Sequence, residues 1–107
     1  MKKILLLSLI TFFALANHSS ITLKEYTGVY KMESVFEKCT ITELEGNLYA
    51  EVDQNGSNKL LSTDKVDVFK STSAYGTIFT FTRNEKNEVN AVNLFVMDNN
   101  VSGKKVE

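Results

Sequence analysis

Tryptophan and proline are absent from this chain of 107 residues, and cysteine and histidine occur once each, as Cys39 and His18. One cysteine cannot form an internal disulfide. Zinc sites draw on clusters of Cys and His, and a single residue of each type, with twenty residues between them, is no cluster. A Ser-His-Asp or Cys-His arrangement needs a histidine in a rigid setting, whereas His18 stands in a polar stretch near the amino terminus. Neither charge is in excess: 12 Lys+Arg against 13 Asp+Glu leave a formal charge of -1. That removes the basic surface on which phosphate-driven nucleic-acid binding depends. No glycine-rich phosphate loop is present either. The residue inventory therefore predicts no catalytic residues, no metal and no cofactor.

The only long apolar run is short for a membrane span. Ile4 to Leu15 is interrupted only by Ser8 and Thr11 and is preceded by Lys2 and Lys3. About 13 helical residues reach only ~20 Å, against a hydrocarbon core of ~30 Å. The positive start, the apolar run and Ala14-Leu15-Ala16 together have the form of a secretory leader, with cleavage expected after Ala16. The organisation read from the sequence is thus a signal peptide over 1–16, a polar tail over 17–22 and one domain over 23–107. The mature protein is expected in the periplasm or outside the cell, with no stable membrane insertion. Loss of Lys2 and Lys3 takes the formal charge to -3. No cysteine directly follows the apolar run, so a lipid anchor is not expected.

What remains reads as all-β. Short alternating runs are separated by Gly, Asn and Asp clusters roughly every ten residues, and no amphipathic stretch is long enough for a substantial helix. The expected strands are Glu25 to Met32, Val35 to Leu44, Leu48 to Val52, Lys59 to Ser62, Val66 to Phe69, Thr77 to Arg83, Val89 to Met97, and a weaker one near Val101 to Val106. Eight strands suit the mature length. A small domain without disulfide or metal gains from closing its sheet into a barrel, which pairs every edge.

Gly46-Asn47 suits a two-residue type II′ turn, since glycine at the first central position tolerates positive φ. In that register Glu45 faces Leu48, Leu44 faces Tyr49, Glu43 faces Ala50 and Ile41 faces Val52. Cys39, Ile41, Leu48, Ala50 and Val52 then share the interior face. Thr40, Thr42, Glu51 and Asp53 face outward. Cys39 is expected to be a buried, inert thiol, and Glu43, Glu45, Glu51 and Asp53 to be a solvated exterior with no catalytic pairing. Asn55-Gly56 is a turn by composition, but a two-residue loop there would turn the apolar face over, so a longer loop or a bulge is expected. Phe79 and Phe81 share one face of their strand. In Val89 to Met97, Val92, Leu94 and Val96 lie on one side and Ala91, Phe95 and Met97 on the other, which predicts cover on both faces. The expected core is Tyr30, Ile41, Leu48, Val52, Phe69, Phe79, Phe81 and Leu94. Three N-x-S triplets at Asn17, Asn55 and Asn100 are read as coincidence beside a bacterial type of leader, and Lys104-Lys105 as a solvated tail.

Leu23-Lys24-Glu25-Tyr26-Thr27-Gly28-Val29-Tyr30 reads L-x-x-Y-x-G-x-Y. This resembles the opening of a small lipocalin-like β-barrel domain of the DUF3471 type. Gly46-x-Leu48, Leu60-Leu61, Phe69, Ile78-x-x-Phe81 and Val89-x-x-Val92-x-Leu94 extend the likeness across Leu23 to Lys105. The chain departs from the pattern at Asn87-Glu88, where a glycine is usual, and in having no proline after the central leucine. The resemblance implies an antiparallel barrel of about eight strands. Such domains usually follow serine β-lactamase-like hydrolase domains, which carry the chemistry, so the resemblance implies no catalytic residue here. Tyr26, Gly28 and Tyr30 are read as structural. Two functions are compatible with these residues: a non-enzymatic binding module for a small apolar ligand or cell-envelope component, and a protein-interaction accessory or inhibitor of a separately encoded hydrolase. No ligand-binding residue is singled out. A filled interior favours the second function, and a cavity of ~300 Å³ or more the first.

Overall fold

A computed structural model describes residues 22–107; the leader and its expected cleavage site lie outside these residues. Eight strands form one closed antiparallel barrel in sequence order: β1 (Gly28–Met32), β2 (Lys38–Leu44), β3 (Asn47–Val52), β4 (Ser57–Ser62), β5 (Val68–Ser71), β6 (Ile78–Arg83), β7 (Val89–Val96) and β8 (Asn99–Lys105). The ring closes where β1 meets β8, with Tyr30 opposite Lys105 and Met32 opposite Gly103. The expected fold class is therefore the observed one.

Alternation along the strands sends one side chain in two to the interior. Tyr30, Cys39, Ile41, Leu48, Leu60, Phe69, Phe79, Phe81, Val92, Leu94 and Val101 all belong to one buried cluster. Of the expected core only Val52, near the barrel's rim, is partly rather than fully buried.

Several boundaries move, each for a local reason. The first expected strand begins too early: Leu23–Tyr26 is a 3₁₀ turn. Its ends are tied by Thr22 N–H donating to the Glu25 carboxylate (3.1 Å) and Thr27 N–H to the Lys24 carbonyl (3.1 Å). Val35 and Val66 fall in loops and are exposed, so neither extends its strand. The β2–β3 hairpin turns at Glu45-Gly46 rather than Gly46-Asn47: both have positive φ (51° and 82°), and Leu44 pairs with Asn47. Positive φ at both central residues defines a type I′ turn, whose twist suits the flanking strands. Ile41 accordingly pairs with Ala50, and Cys39 with Val52. The slip is two residues along the partner strand, which preserves the faces, and Cys39, Ile41, Leu48 and Ala50 are all buried. After β3 the loop is longer, as expected, with Glu51 pairing Ser57.

Strand β7 corrects the expectation of two covered faces. Val92 and Leu94 are buried, but Phe95 stays 42% exposed on the outer surface. There it continues a row of partners running Leu61, Lys70, Ile78, Phe95 around four strands. Met97 lies in the tight β7–β8 turn, where Met97 and Asp98 both have positive φ.

Candidate functional site

The two ends of the barrel are built from different residues. The amino-terminal turn folds across one end and places Tyr26 inside it. Its ring meets Phe69 edge-on at 5.1 Å and Phe81 at 4.8 Å, and the Tyr30 ring lies tilted 5.9 Å from Phe81. These aromatic pairs fill the space they enclose. Neither tyrosine hydroxyl reaches for solvent: Tyr30 donates to the Tyr26 carbonyl (2.7 Å), and Tyr26 donates to Asp67 Oδ1 (2.7 Å). Burial raises both phenols, Tyr26 to about 12.

Arg83 completes this plug. Its guanidinium meets Asp67 through both carboxylate oxygens, with Nε and Nη2 each at 3.0 Å, and meets Glu25 Oε1 at 2.7 Å. The planar fork matches a carboxylate in this bidentate way. Hydrogen bonding to Arg83 holds the Asp67 and Glu25 carboxyls below their ordinary range. Every member of this group is satisfied by another member, so the end is a lock between the 3₁₀ turn, the β4–β5 loop and β6. Gly28 belongs to the same closure. With φ of 142° it lets the carboxyl-terminal segment approach so closely that a Cβ would overlap the Glu107 carbonyl, and the Val29 N–H donates to that carbonyl at 3.1 Å. The structural reading of Tyr26, Gly28 and Tyr30 thus has a concrete content: ring, close approach and ring.

The other end is open. Inward positions near that rim are small: Ala50 on β3, Asn58 on β4, Ser71 on β5, Thr77 just before β6 and Val96 on β7. Where the closed end has Phe69 and Phe81, these leave a cavity of about 350 Å³. Its floor is Phe79 and Leu94, and its rim comes from the loops that carry Val35, Phe36, Asn55, Gly56, Ser73, Tyr75 and Met97. No Asp, Glu, Lys, Arg or His lines it. Ser71 and Thr77 are buried, at 6% and 8% exposure. Ser71 Oγ accepts from the Ser73 N–H (3.0 Å).

The residues weighed in the sequence lie elsewhere. Cys39 is fully buried, paired with Val52 but not part of the cavity lining, and burial raises its thiol to about 12. Glu43 and Glu45 sit at the β2–β3 hairpin, at the plugged end, and Glu51 lies on the outer face. Asp53 is near the open rim, but its Oδ1 accepts from the Glu37 and Lys38 N–H groups (2.8 and 3.0 Å), so it shapes the loop. The structure does not bring these carboxylates together. Among the described residues no three His, Cys, Asp or Glu side chains converge as metal ligands would. His18 lies outside the described residues. Ala50, Val52, Phe79 and Leu94 of the lining were legible as interior positions, whereas Asn58, Ser71 and Thr77 carried no signal, because small polar residues at strand ends read as ordinary turn composition.

Fold and cavity define the class: a small closed antiparallel barrel, plugged at one end and hollow at the other. The family model for a domain of unknown function, DUF3471, matches residues 16–107, and the chain belongs to that family. No match was found among curated proteins or among solved structures.

Proposed function

We propose that the protein is a non-enzymatic binding module that takes a small, largely apolar molecule into the open end of its barrel. The observation that carries this reading is the cavity of about 350 Å³, which falls within the ~300 to 1,000 Å³ range of small-molecule sites. Five phenylalanines remain after the leader, enough to fill a small barrel. Phe36 instead stands at the rim and Phe95 outside, so the upper interior stays hollow. Mouths of small barrels are where such sites are found. The lining offers no paired acid and base and no activated nucleophile, which favours binding over turnover.

The test uses N-phenyl-1-naphthylamine, a neutral probe that fluoresces on entering apolar surroundings. Saturable 1:1 binding is expected, together with its loss in Val96→Trp, which places a large ring at an inward position of the rim. Binding that survives this substitution unchanged overturns the reading.

The same proposal places the protein in the periplasm or outside the cell, on the strength of Lys2-Lys3, the apolar run and Ala14-x-Ala16. Mass spectrometry of the expressed full chain is expected to find Asn17 at the amino terminus. An intact Met1 in a membrane fraction overturns that placement.

A further inference from the structure

We infer that the cavity selects an uncharged ligand that carries a hydrogen-bonding group on one side, such as an amide, ester or alcohol on an apolar body, and rejects the matching carboxylate. This rests on the reading of the open end as a ligand site and specifies what that site accepts.

The first ground is the division of the cavity wall. Asn58, Ser71 and Thr77 occupy inward positions on neighbouring strands: Asn58 lies opposite the inward Ala50, Ser71 opposite the inward Leu60, and the Thr77 carbonyl accepts the Ser71 N–H at 2.8 Å. They form one polar stripe. Flanking it, Val52 on β3 and Leu94 and Val96 on β7 are apolar. The second ground is that the stripe is not used up internally. Thr77 is only 8% exposed and lines the cavity, yet its hydroxyl makes no hydrogen bond among the described residues, and neither does the Asn58 amide. Neither group is sealed off from the cavity, since among the described residues no fully buried side-chain polar atom lacks a partner, so a ligand that hydrogen-bonds them keeps what a wholly apolar one forfeits. The third ground is charge. A carboxylate entering a lining with no cationic group loses its hydration without compensation. The rim loops add to this, since they carry Glu33, Glu37, Asp53 and Asp98 and no Lys or Arg. Lys31, Lys38, Lys59 and Lys70 stand on outward positions of their strands, next to the inward Tyr30, Cys39, Leu60 and Ser71, and the Lys70 stem lies beside Gly76 of the β5–β6 loop without joining the cavity lining.

Octanamide and octanoate have the same chain and nearly the same head shape, and they differ in charge at neutral pH. In displacement of N-phenyl-1-naphthylamine from the full chain, octanamide is expected to compete at a concentration at least about tenfold lower than octanoate. Thr77→Val, which keeps the shape and removes the hydroxyl, and Asn58→Leu are each expected to weaken octanamide several-fold relative to the probe's affinity for the same variant; combined, they should approach about tenfold. Cooperative urea melts like the parent's show that the variants are folded. Octanoate competing as well as octanamide overturns the charge selection while leaving the ligand site standing. An unchanged octanamide affinity in both variants overturns the polar stripe. If the probe does not bind and calorimetry detects neither octanoate nor octanamide, the reading of the cavity as a ligand site fails, and this inference fails with it.

Discussion

Arg83 shows how much a single side chain can connect. Four hydrogen bonds from its guanidinium reach Asp67, Glu25 and the Asn87 carbonyl (2.9 Å), and the group lies 5.8 Å from the centre of the Tyr26 ring. Asp67 is its principal partner and is mostly buried, with 16% side-chain exposure. Because Arg83 holds the Asp67 carboxyl below its unfolded value of about 3.9, the native state binds this proton less readily than the unfolded chain. The resulting stabilisation is fully present above the unfolded pKa and is lost as pH falls through the lower, folded one. Asp67→Asn keeps the shape and removes the charge, so it is expected to cost about 2 kcal/mol at pH 7. That difference from the parent should shrink below about pH 4, where the parent itself loses the contribution. Urea melts at pH 7 and pH 3 measure both; equal differences at the two pH values would mean that the ion pair contributes nothing to stability.

Among the elements, the β2–β3 hairpin separates what a pattern can and cannot specify. Inward and outward positions follow from alternation alone, and a two-residue shift leaves them unchanged. The turn is decided by which two residues tolerate positive φ. Glu45 accepts 51° although its side chain does not favour that region, because Gly46 behind it takes 82° and the pair then matches the twist of the strands. Asn-Gly is the preferred pair for this turn. Glu45→Asn is therefore expected to stabilise the protein by up to about 1 kcal/mol, as a rise in the urea midpoint with unchanged slope. No change, or a loss, would indicate that this turn does not limit the hairpin. The 3₁₀ turn ahead of β1 illustrates the opposite situation. Tyr26 alternates correctly with Tyr30 and reads as strand, but the bonds made by Thr22 and Thr27 bend the chain inward and turn the residue into a stopper.

In the whole molecule, the number of strands and most of the core were legible from alternation and turn spacing, because each interior position is marked locally by an apolar residue flanked by polar ones. The likeness of L-x-x-Y-x-G-x-Y to the family was legible too, but the work of Gly28 was not. Its neighbour is the Glu107 carbonyl at the far end of the chain, and only closure of β1 against β8 brings the two together. The sequence by itself determined an all-β barrel domain with a buried Cys39. The tertiary structure decided that three of the phenylalanines point inward while Phe36 and Phe95 do not fill the barrel, and that Asn58, Ser71 and Thr77 meet on one wall. The physical reason is that a cavity is defined by atoms that are missing between residues distant in the chain. Periodicity records which way each side chain points, but not whether the side chains opposite are large enough to meet it.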